Sequence, residues 1–243
     1  MLFRSVILEP VQNGGGCFVP QDGYFQRVRE ICDRHGVLLI SDEVICAWGR
    51  IGHWFGCERY DCQPDILTIA KGLTSAYAPL SGSIVSKRVW DVLERGTDEN
   101  GPIGHGWTYS AHPIGAAAGV ANLKLVDDLG LIKNAREIGA YFLKALRDAL
   151  GDHPMVGDVR GEGLLAAVEL VEDKAARKLF DPARKIGPQV AAALAKRGVV
   201  GRAMPQGDIL GFTPPLCLSR GEADIVVSAT AEAVKEVAKT VGL

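Results

Sequence analysis

Short apolar runs separated by longer polar or helical stretches dominate the first half of the chain. Residues 37–40 form a run of valine, leucine and isoleucine, and residues 65–70 form a second run. Such runs, without alternation, are typical of strands buried on both faces of a sheet. Residues 4–10 and 82–86 give two further short strands, and residues 20–35 have helical periodicity. The pattern predicts an α/β domain with a mostly parallel sheet.

Helical patterns and short strands continue after residue 113. Helical periodicity covers three segments, residues 113–129, 132–150 and 185–196. Strand patterns cover four segments, residues 156–160, 164–171, 198–200 and 208–212. Ser219 with Glu222 three positions later has the signature of a capping box, which begins a last helix running to about Thr240. The chain thus predicts a large domain over residues 1–125 and a small α+β domain over residues 126–243.

Composition and charge narrow the class of protein. The chain has 243 residues, of which 47% are hydrophobic and 23% are charged, the balance of a soluble globular protein. A net charge of −2 gives no basic excess for nucleic acid, and no apolar run is long enough for a membrane span. The first residues lack the layout of a signal peptide, so we expect a cytoplasmic location. The six cysteines form no Cys-x-x-Cys pair, and we expect buried thiols and no metal site.

An acid and an amine follow two of the predicted strands. Asp42 ends the first apolar run and Lys71 ends the second, and ligands of open α/β sheets bind just outside the carboxyl ends of the strands. Pyridoxal 5′-phosphate (PLP) requires a lysine for covalent attachment and an acid beside its ring nitrogen. Taken singly, Asp42 could be a backbone cap and Lys71 a solvated lysine. Together they predict a PLP site, with a desolvated amine at Lys71 and small neighbours, Ala70 and Gly72, that leave room for the ring.

At these residues the sequence resembles the class III (omega-type) aminotransferases. Residues 40–44, 49–52 and 64–73 match the family signature, residues 106–113 match a second block, and residues 9–12 match a third. The order and spacing of these blocks extend over most of the chain. The resemblance implies the C-terminal part of the PLP-dependent transferase fold type I, a mostly parallel sheet of the large domain followed by a small α+β domain.

The resemblance also assigns roles to individual residues. Lys71 is implied to hold PLP and to move the proton between the substrate Cα and the cofactor. Asp42 is implied to pair with the pyridine nitrogen, and Val44 to pack against one face of the ring. Thr108 is implied to bind the cofactor phosphate in the neighbouring subunit's site, which would require a homodimer with shared active sites.

Arg202 is a candidate for substrate binding. It follows one predicted short strand and precedes another, and its alternative role is that of a solvent-exposed arginine. In omega-type members, a matching arginine binds the substrate carboxylate through its bidentate fork and swings out when the substrate has an apolar group there. Arg220 is a second candidate, but it begins the predicted last helix, where a surface role is more common.

The implied activity is transfer of an amino group from an amine or ω-amino acid to a keto acid such as pyruvate, by ping-pong chemistry with PLP as cofactor. The alternatives are a PLP-dependent aminomutase or decarboxylase, and an inactive fragment that serves only in dimerisation. A nucleotide-binding protein is disfavoured because no G-x-G-x-x-G follows a strand. The family's phosphate loop precedes the matched part, so we interpret the chain as lacking the N-terminal portion and expect this polypeptide alone to bind PLP poorly.

Overall fold

The computed structural model describes residues 3–243, which divide into two compact units. The first unit contains the chain as far as Pro10, Pro20–Gly49 and His53–Gly130. The second unit contains Val11–Val19, Arg50–Gly52 and Leu131–Leu243. Two short segments from the N-terminal half therefore belong to the second unit. The domain limits 1–125 and 126–243 stay a prediction.

A four-stranded sheet forms the centre of the first unit. Its strands, in spatial order, are β1 (Ser5–Leu8), β2 (Leu38–Asp42), β3 (Ile66–Ile69) and β4 (Gly82–Val85). The first three strands are parallel, whereas β4 is antiparallel to β3. The mostly parallel sheet is confirmed. The antiparallel β4 was not foreseen, and it arises because the link between β3 and β4 contains no helix long enough to cross the sheet.

Four helices accompany this sheet: α1 (Tyr24–His35), α2 (Gly56–Arg59), α3 (Lys87–Asn100) and α4 (Pro113–Asp128). Gly36 ends α1 in the left-handed conformation at φ 63°, which glycine adopts at little cost. Helix α4 confirms the predicted segment. Helix α3 was not predicted, and none of its residues is buried.

A buried carboxylate holds β2, β3 and two helices together. Asp65, directly before β3, accepts hydrogen bonds from the Leu39 backbone NH and the Arg29 guanidinium, each at 2.9 Å. Arg88 of α3 lies 3.5 Å from the same carboxylate. Burial alone would raise the pKa of Asp65, but the hydrogen bonds and positive charges outweigh it, and the pKa lies below its ordinary value.

Asp65→Asn is expected to lower the free energy of unfolding at pH 7 by up to about 3 kcal/mol, because Arg29 loses its buried partner. A carboxyl with a lowered folded-state pKa stabilises the fold above its unfolded pKa of about 3.9 and loses that contribution as the pH falls. The difference between parent and variant in urea unfolding should therefore shrink between pH 5 and pH 2. An equal difference at every pH would contradict this assignment.

An antiparallel sheet forms the centre of the second unit. Its strands are β5 (Val156–Glu162), β6 (Leu165–Leu170), β7 (Arg202–Ala203) and β8 (Ile209–Phe212), in the spatial order β5-β6-β8-β7. The predicted strand at residues 198–200 is wrong. Pairing with β8 begins only at Arg202, opposite Gly211, and Val200 is 92% exposed. Valine is a residue type that favours strands, but in the described chain Val200 has no neighbouring strand to pair with.

Three helices share a hydrophobic core with this sheet: α5 (Leu131–Leu150), α6 (Ile186–Ala195) and α7 (Arg220–Val241). Fully buried side chains of this core include Phe142, Leu146, Leu170, Leu194 and Leu210. The capping box of Ser219 and Glu222 is present at the start of α7, which confirms the prediction. Over residues 3–243, no helix combines the length and the hydropathy that a membrane span requires.

Candidate active site

The structure brings Asp42 and Lys71 to the same edge of the first sheet. Asp42 is the last residue of β2 and pairs in register with Thr68 of β3. Lys71 follows Thr68 by three positions, just beyond the end of β3. Because β2 and β3 are parallel, their carboxyl ends meet at one edge, where α/β sheets bind their ligands. Both residues therefore lie at the edge where a sheet of this kind binds its ligand.

One oxygen of the Asp42 carboxylate is fixed by two donors. Its Oδ1 accepts a hydrogen bond from Thr68 Oγ1 at 3.0 Å and another from the Val44 backbone NH at 3.1 Å. Within the described chain, Oδ2 receives no hydrogen bond. A carboxylate held through one oxygen can accept a charge-assisted bond at the other from a protonated ring nitrogen. This donor arrangement fits the acid that PLP requires.

Lys71 has a strained backbone and an unpaired amine. It begins a single 3₁₀ turn, Lys71–Leu73, and has a φ of 41°. A non-glycine residue in this region costs roughly 1–3 kcal/mol, and such strain is concentrated at functional sites. Its ε-amine makes no hydrogen bond or salt bridge with any residue between positions 3 and 243. The expected desolvation is wrong for the described chain, since Lys71 is exposed and its small neighbours provide no cover.

The turn after Lys71 packs closely against an indole ring. A Cβ added at Gly72 would lie 3.2 Å from Trp48 Cδ1, so a larger residue would displace the ring or the turn. Leu73 is buried in a cluster with Ala47 and Trp48. Small residues were predicted here to leave room for the cofactor ring, and the close approach of Trp48 is a second reason for a glycine at position 72.

Glu43, directly after Asp42, is a residue whose role the sequence analysis missed. It is fully buried and accepts hydrogen bonds from the backbone NH groups of Gly56 and Cys57, at 2.8 and 2.7 Å, and from Ser41 Oγ at 3.1 Å. Burial raises the pKa of Glu43, although these donors oppose the shift. The contacts tie the end of β2 to the start of α2 and so fix the backbone beside Asp42. An acid directly after a buried strand was the available signal.

The thiol of Cys57 shares this environment. Burial, together with the nearby Glu43 charge, raises the pKa of Cys57 to about 12. The thiolate is the nucleophilic form of cysteine, so Cys57 stays protonated and unreactive near neutral pH.

Val44 and Thr108 differ in burial and in their distance along the chain from the other candidate residues of the first unit. Val44 is half-buried beside Asp42 and bonds to it through its backbone NH. Thr108 lies in an exposed turn between α3 and α4, flanked by Trp107 and Tyr109, which are 76% and 80% exposed. The described contacts do not join Thr108 to Asp42 or Lys71. The roles of Val44 and Thr108 stay predictions.

Arg202 and its competitor Arg220 belong to the second unit, whereas Asp42, Val44, Lys71 and Thr108 belong to the first. Arg202 lies on the edge strand β7 and is exposed. Its guanidinium makes no hydrogen bond or salt bridge within the described part of the chain. Arg220, the competing candidate, lies 4.1 Å above the ring of Tyr141. Of the two arginines, Arg202 is therefore the one with its bidentate fork available.

The chain matches a known family over nearly its whole length. A family model for class III aminotransferases matches residues 4–234. The chain belongs to the class III aminotransferases. Membership confirms the resemblance inferred from the sequence blocks.

Class III relatives with assigned names share much of the sequence. The diaminobutyrate–2-oxoglutarate transaminase of Halomonas elongata is 53% identical over 233 residues, which cover 96% of this chain and 50% of that protein. The putrescine–pyruvate aminotransferase of Pseudomonas aeruginosa is 37% identical over 237 residues, covering 98% of this chain and 50% of that protein. The chain thus spans about half the length of these relatives. The expectation that this polypeptide alone binds PLP poorly stays a prediction.

Solved class III structures match the fold closely. An (S)-enantioselective omega-transaminase from Thermomicrobium roseum has a TM-score of 0.91 at 42% identity, covering 96% of this chain and 51% of that one. An amine transaminase from an uncultivated Pseudomonas species, solved in its PLP-bound form, has a TM-score of 0.91 at 40% identity, covering 96% and 52%. These similarities confirm the predicted α/β fold class, that of the type I PLP-dependent transferases.

Glu43→Gln is expected to lower the free energy of unfolding by about 1–3 kcal/mol. The amide NH₂ of glutamine would face a backbone NH that now donates to the carboxylate, leaving a buried donor unsatisfied. Urea unfolding measures the effect, with Glu94→Gln on the exposed face of α3 as the matched control. Equal stabilities for the two variants would show that Glu43 does not clamp β2 to α2.

Proposed function

We propose that this chain forms part of a PLP-dependent aminotransferase in which Lys71 holds the cofactor and Asp42 holds its ring nitrogen. The observation that carries the proposal is the parallel register of β2 and β3. This register brings Lys71 and Asp42 to one edge of the sheet. Within the described chain, the Lys71 amine has no partner and Asp42 Oδ2 accepts no hydrogen bond. Membership of the class III family and the similarity to a PLP-bound amine transaminase support it.

When bound, PLP supplies an electron sink that stabilises negative charge at the substrate Cα. Asp42 would keep the ring nitrogen protonated by accepting its hydrogen bond at Oδ2, while Thr68 and the Val44 NH hold Oδ1 in place. Val44 would pack its branched side chain against one face of the ring. Lys71 would anchor the cofactor at rest, and its released amine would move the proton between the substrate Cα and C4′ of the cofactor.

The substrates proposed are an amine or ω-amino acid as donor and a keto acid such as pyruvate as acceptor. Two relatives named for diaminobutyrate and putrescine, with 2-oxoglutarate and pyruvate as second substrates, support this class. Arg202 binds the carboxylate of the keto acid through its two-pronged guanidinium, consistent with its exposure and lack of a described partner. Thr108 binds the cofactor phosphate in the partner subunit's site, so the active assembly is a homodimer. The cytoplasmic location stays a prediction.

Borohydride reduction after PLP addition should attach a phosphopyridoxyl group to Lys71 in the protein expressed from its full reading frame. Peptide mass mapping locates the label. Lys71→Ala should abolish it, whereas Lys87→Ala, an exposed lysine paired with Asp91, should retain it. Asp42→Asn should keep the label but lower kcat by about 10- to 100-fold, since an amide does not keep the ring nitrogen protonated and a charge-assisted bond worth about 1.5–3 kcal/mol is lost. An equal yield of label in the parent and in Lys71→Ala would contradict the assignment of Lys71 as the cofactor lysine.

Arg202→Ala should raise the KM for pyruvate by about 10- to 100-fold, the loss of a hydrogen-bonded charge pair worth about 1.5–3 kcal/mol. The KM for an amine donor without a carboxylate should change little, because that substrate makes no bond to the guanidinium. Steady-state kinetics with both substrates measures the difference. Arg220→Ala, which removes the arginine above Tyr141, is the control, and an equal rise in KM for pyruvate there would contradict the role of Arg202.

A further inference from the structure

One face of α4 is shaped to approach the segment that follows Lys71. Gly115, Gly119 and Asn122 are spaced by four and three positions, so they lie on the same side of the helix. A Cβ added at Gly115 would lie 3.1 Å from the carbonyl oxygen of Pro79, and one added at Gly119 would lie 3.3 Å from Leu80 Cδ2. The two glycines therefore allow the α4 backbone to come close to this segment.

Asn122 uses this close approach to bind the turn that begins at Lys71. Its Nδ2 donates to the carbonyl oxygen of Gly72 at 2.8 Å and to that of Leu73 at 3.2 Å. Both partners are acceptors, so the amide must present its NH₂ group to the turn. The last carbonyls of a helical turn have no partner inside it, and Asn122 supplies one for two of them.

Apart from its packing against Trp48, the turn has few contacts that could hold its backbone. Leu73 donates to Ala70 at 3.0 Å and Thr74 donates to Lys71 at 3.2 Å, but both bonds lie inside the turn itself. They close it without fixing it to the rest of the first unit. The left-handed φ of 41° at Lys71 is unfavourable for a side-chain-bearing residue and persists only where the surroundings enforce it. The hydrogen bonds from the Asn122 side chain of α4 help to hold Lys71 in this conformation.

We propose that Asn122 is a positioning residue for Lys71: by clamping Gly72 and Leu73 from α4, it holds the Lys71 backbone in the left-handed conformation that aims its amine. The inference rests on the proposed role of Lys71 as the cofactor lysine. Asn122 itself touches neither substrate nor cofactor in this account. It acts through the backbone of the turn, and a displacement of about 1 Å at a reacting group can cost about 100-fold in rate.

The chain offers a matched control for the loss of this clamp. Asn134 makes the same type of contact in the second unit, where its Nδ2 donates to the carbonyl oxygens of Leu216 and Leu218 at 2.7 and 3.1 Å. Asn122→Ala and Asn134→Ala each remove one amide that binds two carbonyls. Asn122→Asp is a second variant, because its shape is unchanged while an acceptor now faces the two carbonyl oxygens.

Three measurements on protein expressed from its full reading frame separate positioning from folding. Thermal unfolding should show similar losses for Asn122→Ala and Asn134→Ala. Backbone hydrogen exchange in the cofactor-free protein should rise about 10-fold or more in the peptide spanning residues 71–74 for both Asn122 variants, and not for Asn134→Ala. The rate of borohydride-trapped PLP labelling at Lys71 should fall about 10- to 100-fold for the Asn122 variants alone, and their primary isotope effect with a Cα-deuterated donor should increase.

Three results would overturn the inference, and each has a different meaning. In the first, the parent protein is labelled at Lys71, and the Asn122 variants match it in hydrogen exchange, labelling rate and isotope effect. This result would remove the positioning role and leave the proposed function intact. No labelling of Lys71 in the parent would overturn the proposed function and this inference with it. An equal loss of labelling in Asn134→Ala would show that Asn122 contributes only to general stability.

Discussion

The parallel register of β2 and β3 is the constraint on which the candidate site depends. It sets Asp42 opposite Thr68, so the threonine hydroxyl reaches the carboxylate and the chain that leaves β3 carries Lys71 to the same edge. A slip by one residue would turn every side chain of a strand to the opposite face. Asp65 resists such a slip at the amino end of the strand pair, since it binds the Leu39 backbone NH of β2. Glu43 fixes the carboxyl end of β2 to α2 through two backbone NH groups.

The lysine shows how such a framework can support local strain. A left-handed Lys71 is unfavourable by itself, and the turn that it begins has few internal hydrogen bonds. The turn contacts the Trp48 ring at Gly72 and accepts two hydrogen bonds from the Asn122 amide. Packing and hydrogen bonding together therefore offset the unfavourable backbone. In the proposed enzyme, this places an unpaired amine where the carboxylate of Asp42 can serve the same ring.

The sequence was sufficient for features that local patterns encode. Asp42 and Lys71 end recognisable apolar runs, and Ser219 with Glu222 encodes the start of α7 by side-chain chemistry alone. Features that depend on distant partners were not predictable. The role of Glu43 requires backbone NH groups 13 and 14 positions away, and Asn122 is indistinguishable in sequence from a solvated helix residue. Helix α3 has no buried stripe, and β7 is defined by its pairing with β8 and not by its own composition.

The most direct test of the account is a crystal structure, with PLP bound, of the protein expressed from its full reading frame. The account predicts continuous electron density between Lys71 Nζ and the cofactor, with Asp42 Oδ2 at about 2.7–2.9 Å from the ring nitrogen, the distance of a charge-assisted hydrogen bond. Oδ1 should keep its bonds to Thr68 and Val44. Cofactor attached to another lysine, or a ring nitrogen turned away from Asp42, would contradict the central claim.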